Sequence, residues 1–231
     1  MKIDASPRWI ALPAALVAAL SVSGPARGAE QAYKLAQGKD GPGITTTISY
    51  SMGTHDNRVT RAEGELKLDP AAPEGLTGEL RVPIDAIVSG DNERDCHMRE
   101  SLGLDYAKSK FPNEHVCQDD KLPKESIAFP DVRLSIRSAS APKLADLPAG
   151  KETPITALAS WTIHGVTRPA KLHLSISPDA ATPGAVRIRG LALVPLKEFG
   201  VVVKSAKVLF ATISVGQVVN VRFDLQLVPA R

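Results

Sequence analysis

The sequence predicts an all-β protein, an antiparallel β-barrel of about eight or nine strands with one helix inserted between strands. Three observations predict it. Apolar and polar residues alternate along most of the second half, Gly, Pro and Asp punctuate the alternating stretches, and one segment with helical spacing interrupts them. Alternation at period two gives a strand one apolar and one wet face. Many such strands close most economically on one another, because closure leaves no long unpaired edge. A two-sheet sandwich is the competing architecture.

The chain of 231 residues opens with Lys2 and Arg8 ahead of an apolar run, Trp9 to Val22, and small residues from Gly24 to Ala29. This is the layout of a secretory signal peptide, with cleavage expected after Gly28. Residues 29–231 then form a single barrel domain. The apolar run falls short of the roughly 18 residues a membrane span needs, so stable membrane insertion is not expected. Losing residues 1–28 removes Lys2, Arg8, Arg27 and Asp4, so the formal charge of +3 becomes +1. The remaining charges are interspersed, as in "RVTRAEGELKLD", which argues against nucleic-acid binding.

In chain order, strands are expected at 44–51, 61–69, 76–88, 128–138, 155–163, 171–177, 185–196, 207–215 and 218–228. The alternation is plainest in "VVNVRFDLQLV", where Val219, Val221, Phe223, Leu225 and Leu227 share one face. Leu172, Leu174 and Ile176 do the same in "KLHLSIS", as do Ile155, Ala157, Ala159, Trp161 and Ile163 in "ITALASWTI". The helix is expected in "DNERDCHMRESLGLDYAKSKFP", capped by Asp91 or Asn92, loosened at Gly103 and stopped by Pro112. The Pro- and Ala-rich "SASAPKLADLPAGKETP" reads as a loop.

Cys96 and Cys117 flank this helix in a chain bound for an oxidising compartment, which points to a disulfide closing a loop of about 22 residues. Each cysteine has a histidine close by, His97 and His115, so a metal- or haem-dependent redox centre is the alternative. Neighbouring helical residues point about 100° apart, so Cys96 and His97 do not easily share one centre, and no metal is assigned. No nucleophile motif accompanies any histidine, so no catalytic residue is assigned and an enzyme is not expected.

In the bend "HGVTRP", Gly165 can take a positive φ and Pro169 drives Arg168 toward an extended conformation, with strand periodicity resuming at Leu172. Turn chemistry explains the glycine and the proline but not the histidine, threonine and arginine beside them. The full stretch "WTIHGVTRPAKLHLSI" resembles the signature of the YceI-like family. Further pieces in matching order are "YSMGTHDNRVTRAEGELKLD", "RDCHMRE" (94–100), "KSKFP" (108–112) and "KEFGV" (197–201), so the resemblance spans roughly residues 44–228. The chain departs from it in the "NEHVC" that follows Pro112 and in an aromatic content of 4%.

The resemblance implies a lipocalin-like barrel in the periplasm that binds a long apolar isoprenoid, polyprenyl or quinone, without catalysis and without a cofactor. It also implies candidate ligand contacts. His55, His97 and His164 would line the barrel mouth or hold the helix against it, Arg94 and Asp95 would sit near the head group, and Trp161 and Phe199 belong to the matching motifs. A homodimer is compatible with the sequence. A barrel filled by its own side chains, with a structural or stress-related role, is the competing reading.

Overall fold

The computed structural model describes residues 31–69, 72–140, 151–208 and 211–230; the predicted signal peptide, residues 1–28, lies outside the described residues. The elements in order are β1 (Gln31–Leu35), β2 (Ile44–Tyr50), β3 (Gly53–Val59), β4 (Glu63–Asp69), β5 (Ala72–Pro83), β6 (Ile87–Val88), α1 (Asn92–Gly103), β7 (Asp131–Ser140), β8 (Thr153–Ile163), β9 (Val166–Pro178), β10 (Val186–Pro195), β11 (Ala206–Val208), β12 (Ala211–Ile213) and β13 (Val215–Pro229).

Eight strands close in the order β1-β4-β5-β7-β8-β9-β10-β13, and β13 returns to β1, so the predicted antiparallel barrel is the observed one. Closure depends on a shared edge. One side of β13 pairs first with β1, Leu35 opposite Leu227, and then with β2, Ile44 opposite Phe223. Between them the chain turns at Gly41 and Gly43, both at positive φ, and the Gly43 carbonyl accepts from the Asp224 amide at 2.8 Å. Strand β2 then leads outward through β3 to β6, an extension beside the closed barrel.

The predicted inward faces are the buried ones. Val221, Phe223, Leu225 and Leu227 of β13 join Leu172, Leu174 and Ile176 of β9 and Ala157, Ala159 and Trp161 of β8 in one core. The expected strand at 207–215 instead divides into β11 and β12, which pair only with each other. A second departure lies at the bend. His164 (φ +51) and Gly165 (φ +74) form the two-residue turn of a tight hairpin, with Ile163 paired to Val166. Strand β9 therefore resumes at Val166 rather than Leu172, and Pro169 lies within a strand. A Cβ at Gly165 would sit 2.6 Å from the Phe129 ring, so glycine is required for space as well as for conformation.

The insertion between β6 and β7 carries α1. Asp91 is the cap, its carboxylate accepting from the Arg94 amide at 2.9 Å, and the helix ends at Gly103 after 12 residues. The Gly103 carbonyl accepts from the amides of Ala128 (2.8 Å) and Phe129 (3.0 Å), which ties the helix end to the chain entering β7. Met98 and Leu102 pack on the barrel core, whereas Cys96 and Leu104 join Phe111 and Leu122 in a small core of the insertion itself. Cys96 and Cys117 are disulfide-bonded, with Cα atoms 6.2 Å apart.

Candidate functional site

The barrel wall opens along one seam. Strands β9 and β10 pair from Val186 opposite Pro178 to Leu191 opposite His173, and no further. Beyond that point Val166–Leu172 pairs only with β8, and Ala192–Pro195 only with β13. Pro169 and Pro195 stand on the two parted edges and lack the N–H a ladder needs. A groove of about 380 Å³ occupies the gap, floored by Trp161, Leu172, Val194 and Phe199.

Each floor residue has a local cause. Phe199 ends a 3-10 turn (Leu196–Phe199) that Gly200 closes at φ +70, with the Gly200 amide donating to the Lys197 carbonyl at 3.1 Å; this holds the ring inward, 2% exposed. Trp161 faces inward by strand alternation and stacks on Phe223, ring centres 6.2 Å apart. The rim is mixed. Leu191 and Leu193 project outward, 54% and 64% exposed, beside Arg168 and Lys171. Arg168 Nε donates across the gap to the Glu198 carbonyl at 3.1 Å, closing one end of the groove.

Behind the floor lies the apolar core of the barrel. A void of about 10 Å³ lies among Leu66, Leu80, Leu134, Ile136, Leu174, Ile188, Phe223 and Leu225, room for about one water. Leu172 lines both this void and the groove, so it touches the surface site and the interior at once.

Of the sequence-predicted contacts, only Trp161 and Phe199 meet in this groove. His55 sits on the β2–β3 extension with its ring stacked on Tyr50 at 4.1 Å; burial, and then the Arg94 guanidinium, hold its imidazole below the ordinary value. Arg94 reaches back to Asp91 at 3.8 Å. Asp95 is buried, its carboxylate accepting from the Ser89 amide (2.7 Å) and hydroxyl (2.6 Å), and so fixes the chain entering α1. His164 donates from Nε2 to the Leu104 carbonyl at 2.6 Å and lies between the rings of Tyr106 and Phe129, which docks the β8–β9 turn on the insertion.

His97 belongs to a separate cluster around Glu100, a carboxylate that sequence reasoning missed. Glu100 is fully buried. Its Oε1 accepts from the amides of Val116 and of Cys117 (2.9 Å), and its Oε2 lies 3.1 Å from Nδ1 of both His97 and His115. Burial pushes its carboxyl up, but the bonds from His115, the two amides and His97 outweigh that and hold it below the usual carboxylate range. The signal in the sequence was spacing: Glu100 is four residues from Cys96 and three from His97, hence on their side of the helix.

Three comparisons place the architecture. No curated protein matches the chain. Among solved structures, a polyisoprenoid-binding domain from Saccharophagus degradans implicated in plant cell wall breakdown superposes with a TM-score of 0.60 at 14% identity, covering 87% of this chain and 99% of its own. Burkholderia cenocepacia BcnA follows at 0.54 and 12%, covering 80% and 94%, and the Campylobacter jejuni YceI protein at 0.50 and 12%, covering 76% and 84%. The model of the YceI-like domain matches residues 41–227. Eight closed strands, the inserted helix and that match together assign this chain to the YceI-like family.

Proposed function

We propose that this protein binds and carries a long apolar isoprenoid, a polyprenyl chain or isoprenoid quinone, in the periplasm, making and breaking no bond. The observation that carries the reading is the groove at the parted β9–β10 seam, floored by side chains of the barrel core, one of which, Leu172, also lines the interior void. Its volume of about 380 Å³ falls within the range of small-molecule sites. The tail lies on Trp161, Leu172, Val194 and Phe199 and extends inward as Leu172 yields, while Arg168 and Lys171 meet the polar head. At about 0.8 kcal/mol per buried CH₂, each five-carbon unit contributes about 4 kcal/mol. Three buried units thus exceed the roughly 8 kcal/mol of a micromolar complex and leave a margin for ordering the chain.

The small interior void favours a second reading, a barrel filled by its own side chains with a structural role. The two separate on extraction of natively exported protein with organic solvent, followed by mass spectrometry. Stoichiometric isoprenoid is the expected result. An empty extract together with no binding of added quinones identifies the filled barrel.

A further inference from the structure

The Glu100 cluster lies outside the groove, and the isoprenoid reading makes no use of it. A structural role accounts for half of it: Oε1 takes two amides of the loop and so ties that loop to α1. The other oxygen faces solvent-accessible side chains. Two imidazoles from different segments, His97 of α1 and His115 of the loop, aim the same ring nitrogen at the one remaining oxygen, each at 3.1 Å, with ring centres 4.3 Å apart.

We propose that Nδ1 of His97, Nδ1 of His115 and Oε2 of Glu100 form a binding site for a divalent transition-metal ion, Zn²⁺ or Cu²⁺. Donors at about 2.0–2.2 Å from a four-coordinate ion lie about 3.4 Å from one another; each imidazole nitrogen stands 3.1 Å from Oε2, and the two rings, with centres 4.3 Å apart, close on the ion as it binds. The supporting shell is already built. The two amides on Oε1 orient the carboxylate, and Oε1 of Glu93 lies 3.6 Å from Nε2 of His97, the carboxylate-behind-imidazole arrangement that metal-binding histidines use.

Access and donor type agree with this. The histidine side chains are 37% and 53% exposed, so an ion reaches them from solvent and a water completes its coordination. Two imidazoles with one carboxylate suit zinc and copper, whereas magnesium and calcium take oxygen donors. Cys117 Sγ lies within 4.8 Å of the His97 and Glu100 donor atoms but is bonded to Cys96, so the oxidised protein offers nitrogen and oxygen alone.

The test uses untagged, disulfide-intact mature protein stripped with chelator and titrated calorimetrically with ZnCl₂ and with CuCl₂, with bound metal counted after gel filtration. One ion per chain is expected, copper more tightly than zinc, with no binding of Mg²⁺. Because Glu100 also holds two amides, the informative variants are His115→Gln and His97→Gln, each expected to weaken binding at least tenfold with an unchanged circular dichroism spectrum. His173→Gln, at an exposed position on β9, leaves binding intact. Failure of folded wild-type protein to take up either ion at about 100 μM, or uptake that survives both histidine variants unchanged, overturns the proposal.

Discussion

Asp131 opens β7 and holds two cations at once, accepting from Arg81 Nε at 2.6 Å and Arg133 Nε at 2.7 Å. Its side chain is 6% exposed. Burial alone would raise its pKa, but the bonds from Arg133 and then Arg81 outweigh that and hold the carboxyl below the usual range. A folded-state pKa below the unfolded one gives stability that is fully present above the unfolded value of about 3.9 and is lost as pH falls through the folded value. Asp131→Asn is therefore expected to destabilise the protein by about 1–3 kcal/mol at pH 7, by urea denaturation. The gap to wild type should narrow as pH drops from about 5 toward 3; a gap that stays constant would show that the charge contributes nothing. Single residues of this kind were poorly legible in the sequence. Beyond their near neighbours Arg133 and His97, Asp131 and Glu100 acquire their meaning from partners 50 and 15 or more residues away, and composition carries no trace of those distant meetings. The inward side of Trp161 was legible because strand alternation is a local fact, whereas Phe199 was singled out only through the resemblance of "KEFGV" to a family motif.

Elements were legible where one face is apolar and the other wet. Strands β8, β9, β10 and β13 alternate because each borders the core on one side; all four were found, and the faces assigned to β8, β9 and β13 are the buried ones. Strand β3, "GTHDNRV", lies on the extension beside the barrel with mostly exposed residues, so it has no apolar face to betray it. The helix was found by its cap, its punctuation and the near-helical spacing of Met98, Leu102 and Leu104 or Tyr106, although its buried residues include a carboxylate and a cysteine. The disulfide holds that insertion together. Its residues are 21 apart, and closing such a loop is worth about 3 kcal/mol in the chain-entropy model. Reduction, or a Cys96→Ser/Cys117→Ser double variant, is expected to lower stability by about that amount. Amide exchange should quicken first in residues 92–127, while β8 and β13 keep their protection, because the insertion then relies on Met98 and Leu102 and on a few hydrogen bonds such as that from His164 to Leu104. Uniform loss of protection across the barrel would show instead that insertion and barrel unfold as one unit.

At the scale of the whole molecule, a closed barrel has no edge, but in this one the ladder between β9 and β10 stops partway. Val166–Leu172 and Ala192–Pro195 face each other without pairing, and two prolines keep a foreign strand from adding there. The interior void holds about one water, so a tail that goes inside must displace side chains, and Leu172, which lines both void and groove, stands on the way in from the seam. Ala192 lines the groove and is 6% exposed, so Ala192→Trp fills the gap from its β10 side. Overpacking of this kind costs about 1–3 kcal/mol, so the variant is compared with its own ligand-free melting temperature. Wild-type protein is expected to gain about 2.7 kcal/mol of apparent stability at 100 times the Kd of an added quinone, and Ala192→Trp to gain almost none. Met52→Trp, at the β2–β3 turn where the native side chain is 73% exposed, serves as the control that keeps the full gain. Should Ala192→Trp gain as much as wild type, the tail reaches the interior through an end of the barrel, and the seam is a structural gap.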